Sequence, residues 1–121
     1  MKVVVTALVA VFLCAAPAVS HEWYSKRVDP VTGGRCCGGS DCAQLVIEPG
    51  VLSSEADGYR IRLTLAQALR LNPHRLSPVD TLIPWARIQP SEDGNFHMCI
   101  PPNTNPAMRS DIYCFFAPPD T

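Results

Sequence analysis

A glycine-rich loop that holds three cysteines constrains this chain more than any other feature. Residues 33–42 read Gly-Gly-Arg-Cys-Cys-Gly-Gly-Ser-Asp-Cys, and their two glycine pairs permit tight turns. Two further cysteines, Cys99 and Cys114, lie far downstream. Disulfides from the loop to these positions would fold the chain back on itself and hold a small domain together in an oxidising compartment.

The first twenty residues have the features of a secretory signal peptide. Lys2 precedes an apolar run over 3–16, and residues 18–20, Ala-Val-Ser, are small enough for cleavage. The run is shorter than the roughly 20 residues that a membrane-spanning helix needs. We therefore expect 1–20 to be removed, leaving 21–121 as one small domain in the periplasm or outside the cell, without a transmembrane anchor.

The expected mature chain is nearly neutral and rich in proline. Loss of Lys2 leaves nine Lys and Arg against eleven Asp and Glu, so there is no basic patch for nucleic acid. Eleven prolines disfavour long helices and central strands. A chain of this length buries only a small core, and disulfides are the usual compensation.

Hydrophobic patterning predicts a mainly β fold, a small disulfide-stapled antiparallel β domain with one short helix. Strands are expected near 45–52, 58–63, 81–89, 96–100 and 112–116. The loop 90–95 contains Asp-Gly and predicts a hairpin between the strands on either side of it.

Residues 64–71 are the one good helix candidate. Thr64 and Gln67 fit a capping box, in which each side chain accepts a hydrogen bond from the other residue's backbone N–H. An Asn-Pro dipeptide follows and ends the helix. We expect Leu65 and Leu69 to face the core.

Removal of the leader takes Cys14 with it and leaves five cysteines: Cys36, Cys37, Cys42, Cys99 and Cys114. An odd number predicts two disulfides and one further thiol, with the pairing open. Adjacent Cys36 and Cys37 point to opposite sides of an extended backbone, so we expect them to bond to different partners. We expect Cys99 and Cys114 each to join the 33–42 loop. The odd thiol could instead pair between two chains and give a covalent dimer.

The cysteine spacing does not favour zinc or redox chemistry. A zinc site would have to draw on four of these cysteines and one histidine: Cys36, Cys37, Cys42, Cys99 and His97. The C-x2–4-C pairs of structural zinc modules are, however, missing. An oxidising compartment also disfavours free thiolates. A redox centre would need Cys-x-x-Cys near a βαβ pattern, and neither occurs.

His21 becomes the mature N-terminal residue if cleavage follows Ser20. Its amine and imidazole could then chelate one metal ion, with His97 or His74 as the third nitrogen donor. Such a site resembles the histidine brace of copper monooxygenases and periplasmic copper-binding proteins, a likeness that rests on the leading histidine alone. Cleavage after Ala18 would instead place His21 third, an arrangement that gives a square-planar nitrogen site suited to Cu(II) or Ni(II).

Simpler interpretations of these histidines stand beside the copper hypothesis. His21 is then a solvated chain end, and His74 is a loop residue after a proline. His97 lies on the predicted strand 96–100, where it faces solvent if Phe96 and Met98 face inward. A solvent-facing histidine is available as a metal ligand but equally serves as a plain surface residue.

No catalytic constellation is evident, and we assign no catalytic residue. The sequence has no Gly-x-Ser-x-Gly elbow, and neither glycine pair is followed by the Lys-Ser/Thr of a phosphate-binding loop. Most carboxylates fall at predicted turns, where they act as caps. The larger aromatic residues are expected in the core rather than in a binding surface: Trp23, Tyr24, Trp85, Phe115 and Phe116.

Four short motifs lie along the expected mature chain. They are His-x-Trp-Tyr at 21–24, Cys-Cys with Asp-Cys at 36–42, Phe-His-x-Cys at 96–99 and Cys-Phe-x-x-Pro-Pro at 114–119. Together they resemble small, exported, uncharacterised proteobacterial proteins, with 65–76 as an inserted helical segment. The resemblance implies a periplasmic or secreted location and cleavage just before His21. It brings no established activity.

Two functional hypotheses follow from the sequence. The first is an exported, disulfide-stabilised binding or envelope-associated module whose partner is a protein or a small ligand. The second is a copper-binding protein that uses His21 and His97.

The mass of the exported protein tests the predicted processing. The chain expressed with its own leader should begin at His21, gain one alkyl label without reduction and five labels after reduction. An N-terminus beyond His21 would contradict the leader assignment and remove the copper hypothesis. A copper ion that is present in the native mass and lost on acidification would support that hypothesis.

Overall fold

Two β-sheets and one short α-helix account for the regular structure in the computed structural model, which describes residues 23–38, 41–103 and 112–119. The elements in chain order are β1 (Cys42–Gln44), β2 (Leu52–Glu55), β3 (Gly58–Leu63), α1 (Leu65–Leu71), β4 (Val79–Pro84), β5 (Ile88–Pro90), β6 (His97–Cys99) and β7 (Cys114–Ala117). Two 3-10 turns, Tyr24–Lys26 and Trp85–Arg87, complete the set. The predicted mainly β class with one short helix is confirmed. The predicted leader lies outside the described residues.

The strands are divided between a four-stranded and a three-stranded sheet. In the four-stranded sheet the order is β1-β6-β7-β5, and in the three-stranded sheet it is β2-β3-β4. All pairs are antiparallel except β5 with β7, which run parallel. At the start of β3, Gly58 lies against the carbonyl oxygen of Ile83, where any side chain would collide. This close approach explains why a glycine stands there.

The four-stranded sheet is buried on both faces, and alternate residues of its central strands face opposite ways. Met98 and Phe115, which are paired across β6 and β7, face the three-stranded sheet and the main core. His97 and Phe116 face the segment around Tyr24 and a second cluster that contains the disulfides. Because side chains alternate along a strand, one register fixes both assignments.

Two disulfides tie the 33–42 loop to the last two strands, as predicted. Cys42 bonds to Cys99, which stands directly opposite it across β1 and β6. Cys36 bonds to Cys114 on β7, a residue 78 positions away. Cys37 takes part in neither of these bonds, so the adjacent pair separates as expected. Loops of this length restrict the unfolded chain by about 4 kcal/mol each in the chain-entropy account.

Three of the predicted strands, 58–63, 96–100 and 112–116, are confirmed to within two residues at each end. The other two strand predictions are wrong. The predicted strand 45–52 is a loop, with Val46 and Ile47 exposed, because this stretch carries the chain from one sheet to the other. The predicted strand 81–89 breaks at the Trp85–Arg87 turn for the same reason.

The predicted hairpin around 90–95 is also wrong. Strands β5 and β6 are not neighbours, because β7 lies between them and hydrogen-bonds to both. The loop therefore crosses the end of β7 instead of turning tightly. The insertion of a strand from the chain's C-terminal part is not visible in the local pattern.

The helix forms as predicted but turns a different face inward. Thr64 and Gln67 make the reciprocal capping box. Ala68 and Leu71 are buried, whereas Leu65 and Leu69 are each 40% exposed, so the expectation that these two leucines face the core is wrong. The helix follows directly on buried β3, which fixes its rotation, and the small Ala68 side chain permits a close approach to the sheets. No helix within the described ranges has the length and hydrophobicity to cross a membrane.

Two leucine variants test this orientation. Leu71→Ala should lower the free energy of unfolding by about 2–5 kcal/mol, because it removes a fully buried side chain. Leu69→Ala, in the same helix and with the same chemistry, should cost less than about 1 kcal/mol. Urea unfolding measures both, and equal losses would show that the helix is turned differently.

Candidate functional site

A cleft of about 760 Å³ opens beside the Tyr24–Lys26 turn. The described side chains that line it are Trp23, Ser25, Lys26, Arg27 and Glu92. They combine one aromatic ring, one hydroxyl, two cations and one anion. The lining is mostly polar, and the indole of Trp23 supplies its one described aromatic surface.

The 3-10 turn divides its residues between the core and the cleft. The turn closes through a hydrogen bond from the Arg27 amide to the Tyr24 carbonyl oxygen. Tyr24 points inward and is 1% exposed, while Ser25 and Lys26 point outward. A tight turn places successive side chains on different sides, so one short segment both anchors itself and lines the cleft.

Trp23 is held in place by three neighbouring rings. Its ring centroid lies 4.2 Å from that of Tyr24, 4.8 Å from that of Phe116 and 5.1 Å from that of His97. The contacts with Phe116 and His97 are edge-to-face, an arrangement that aromatic quadrupoles favour. Trp23 is only partly buried, so a fixed indole surface remains towards the cleft.

A hydrogen-bond chain runs from the partly exposed Asp93 through buried His97 to buried Tyr24. The His97 Nε2 atom lies 2.7 and 2.8 Å from the two carboxylate oxygens of Asp93. The His97 Nδ1 atom contacts the Tyr24 hydroxyl. An ionised carboxylate only accepts hydrogen bonds, so Nε2 carries a hydrogen and donates it to Asp93. When the ring is neutral, its Nδ1 atom accepts the Tyr24 O–H.

Local hydrogen bonds keep Asp93 ionised at the end of this chain. Burial by itself raises the pKa of Asp93, but the Asn95 amide and the Ser91 hydroxyl outweigh burial and hold that pKa below its usual value. Asp93 is therefore a fixed acceptor for His97, and the chain latches the Tyr24–Lys26 turn onto β6.

The rim of the cleft carries an exposed ion pair and a second cation. The Arg27 Nη2 atom lies 2.6 Å from a Glu92 carboxylate oxygen, and these side chains are 35% and 50% exposed. Lys26 forms no ion pair with any residue that the structure describes. The described charges of the cleft therefore sum to one net positive charge.

A buried ion pair between Asp29 and Arg87 holds the segment just beyond the cleft. The Arg87 Nε donates to Asp29 over 2.8 Å, and the backbone amides of Val31 and Thr32 donate to the other carboxylate oxygen. Arg87 also reaches the carbonyl oxygen of Ile112 just before β7. The pair thereby fixes the N-terminal segment relative to the four-stranded sheet.

The hydrogen bonds of Asp29 more than offset the cost of its burial. Burial raises the pKa of Asp29, while the Thr32 amide, the Arg87 guanidinium and the Val31 amide together hold it below the usual value. The carboxyl thus binds its proton more weakly in the folded chain than in the unfolded chain.

The structure places His97 elsewhere than predicted. His97 is 4% exposed, and both of its ring nitrogens are engaged, so the expectation of a solvent-facing residue is wrong. Its strand is central and covered on both faces, which alternation along β6 alone does not reveal. His74 is an exposed loop residue. His21 lies outside the described residues, so the copper site stays a prediction.

The described residues of the cysteine loop do not form a complete metal site. Ligand atoms of Cys37, Asp41 and Cys42 lie within 4.8 Å of one another. However, the sulfur of Cys42 is already bonded to Cys99 and is not a thiolate. The remaining pair provides one thiol and one carboxylate, fewer than the four ligands of a structural zinc site.

Sequence reasoning identified neither the cleft nor the four polar residues that line it. Trp23 was expected in the core. It packs against three neighbouring rings as expected, but it is only partly buried. Trp85 was expected there too, but it is 45% exposed. The Ser-Lys-Arg sequence directly after Trp-Tyr was the available signal, since an aromatic anchor beside adjacent cations is common in binding surfaces.

Comparison with protein-family models, with curated proteins and with solved structures finds no match.

An acid titration tests the anchor beside the cleft. Because Asp29 binds its proton more weakly when folded, its contribution to stability is present above its unfolded pKa of about 3.9 and is lost as the pH falls through the lower folded pKa. Asp29→Asn should lower the free energy of unfolding by about 3 kcal/mol at pH 7. This difference from the wild type should shrink below about pH 4, where the carboxyl is protonated first in the unfolded chain and then, at lower pH, in the folded chain.

The control for this titration is Asp80→Asn, which alters an exposed carboxylate paired with Arg60 and Arg62. Its cost should stay below about 1 kcal/mol. Urea unfolding at pH 7, 5 and 3 measures both variants. A loss for Asp29→Asn that is the same at every pH would contradict the assigned role of this ion pair.

Proposed function

We propose that the protein is an exported, disulfide-stabilised binding module whose small ligand occupies the cleft beside Trp23. The observation that carries this proposal is the fixed indole surface at the edge of a cleft of about 760 Å³. Pockets for small ligands typically measure about 300–1,000 Å³ and combine apolar surface with a few placed polar groups. The volume of the cleft lies in this range, and its described lining sets one indole surface beside four polar side chains.

The anchoring of the cleft supports binding more than it supports chemistry. Trp23 is fixed by packing, and the turn below it is fixed by the chain from Asp93 to Tyr24. A pre-formed surface loses little conformational entropy when a ligand arrives. The buried His97 contacts Tyr24 and is not among the described residues that line the cleft, so its role is to hold the turn in position.

A location in the periplasm or outside the cell fits the same proposal. The two disulfides are compatible with an oxidising compartment. The predicted leader would give the route, and the resemblance of the four motifs to those of exported proteobacterial proteins points the same way. A binding function there needs a fold that persists without chaperones, which two long-range disulfides help to provide.

Copper binding is the alternative function, and the contacts of His97 weigh against its predicted ligand pair. A metal at His97 would have to displace either Asp93 or Tyr24 from a buried ring nitrogen. Leaving a buried polar group unpaired costs about 1–3 kcal/mol. Copper held by His21 through its own amine would not face this cost.

Backbone amide NMR with three naphthalene compounds tests the proposed cleft. The probes 2-naphthylacetate, 2-naphthylethanol and 2-naphthylethylamine share one ring and differ in charge. At least one of them should shift the amides of residues 23–27 and the Trp23 indole N–H. Ser25→Trp should abolish the shifts, because it fills the cleft from an exposed position.

Trp85→Ala is the matched control, because it removes the other tryptophan, which is exposed and does not line the cleft. This variant should bind the probes as the wild type does. Absence of shifts with all three probes, or shifts confined to residues around Trp85, would overturn the proposal.

A further inference from the structure

The charges around the cleft distinguish between classes of ligand. Lys26 and Arg27 are adjacent in sequence and both line the cleft, whereas Glu92 is the one described anion there. Glu92 is already bound to Arg27 at 2.6 Å. A ligand therefore meets one cation without a described ion pair and one cation held only by a rim carboxylate.

The pair between Arg27 and Glu92 can be exchanged for a pair with a ligand. Both side chains are at least one-third exposed, and exposed ion pairs contribute little net free energy. A guanidinium binds carboxylates through two parallel N–H donors. A ligand carboxylate can thus replace Glu92 on Arg27, and the released Glu92 side chain is solvated at the rim.

A cationic ligand would meet the opposite situation. To reach Glu92 it would have to displace Arg27, leaving two adjacent cations without their counter-charge beside a third positive group. Like charges at such short range repel, and the repulsion grows as a ligand excludes water. The cleft therefore discriminates against cations even though Trp23 alone could bind one through its ring face.

We infer that the ligand of this cleft is a small organic acid with a flat apolar ring, which stacks on Trp23 and places its carboxylate between Lys26 and Arg27. The inference rests on the proposed binding function and adds the chemical class of the ligand. The ring of such a ligand meets the fixed indole surface, and its charge meets the two cations on the same rim. Glu92 acts as an internal competitor that occupies Arg27 in the empty cleft.

The three naphthalene probes also test this inference, now by their dissociation constants. In 20 mM salt, 2-naphthylacetate should bind at least about fivefold more tightly than 2-naphthylethanol, and 2-naphthylethylamine should bind most weakly. Raising the salt to 300 mM should weaken the binding of the acid several-fold and leave that of the alcohol unchanged. NMR titration at residues 23–27 gives all of these values.

Charge variants then assign the preference to single residues. Lys26→Gln should reduce the advantage of the acid over the alcohol by about fivefold. Glu92→Gln should increase the affinity for the acid about two- to fivefold, because it removes the competitor for Arg27. Arg62→Gln, a remote and exposed charge change, should alter neither value.

The outcomes separate the two proposals. If the alcohol or the amine shifts residues 23–27 as strongly as the acid does, the binding cleft stands and the acid inference is overturned. If no probe shifts these residues, both proposals fall. If Glu92→Gln weakens binding of the acid, Glu92 contacts the ligand rather than competing with it, and the inferred arrangement is wrong.

Discussion

Coverage of the second face of the four-stranded sheet is the constraint on which the rest of the structure depends. A sheet packed on one side only would leave the disulfide sulfurs and Phe116 in water. The N-terminal segment prevents this by placing Tyr24 and Cys36 against that face. The Cys36–Cys114 disulfide holds the far end of the segment, and the contact of Tyr24 with His97 holds the near end.

The N-terminal segment that covers this face meets the sheet through buried polar groups. Each buried polar side-chain atom that the structure describes has a hydrogen-bond partner. Asp29 meets Arg87, and His97 meets both Asp93 and Tyr24. Such networks contribute specificity of position, because the segment can lie in only one place if every donor and acceptor is to be satisfied. An apolar segment could cover the same face but could slide along it.

The loop before β6 contributes one carboxylate to the hydrogen bonds that hold the Tyr24–Lys26 turn and another to the cleft. Asp93 turns inward to His97, while its neighbour Glu92 turns outward to Arg27 at the rim. The two carboxylates are adjacent in sequence and similarly exposed, at 43% and 50%, but they have different partners and different roles. Asp93 is fixed by several hydrogen bonds, whereas Glu92 is held by one exposed ion pair, so only Glu92 can yield its place to a ligand.

The sequence by itself determined the local and covalent features of this protein. The capping box at Thr64, the strand at 58–63 and the reach of the cysteine loop to the last two strands depend on nearby residues or on cysteine number, and the structure confirms them. Tertiary structure alone decided that β7 lies between β5 and β6, that Leu69 faces outward and that His97 is buried. These outcomes depend on which distant segment covers a surface. Tyr24 and His97 are 73 residues apart, and no pattern within a few residues of either one reports their contact.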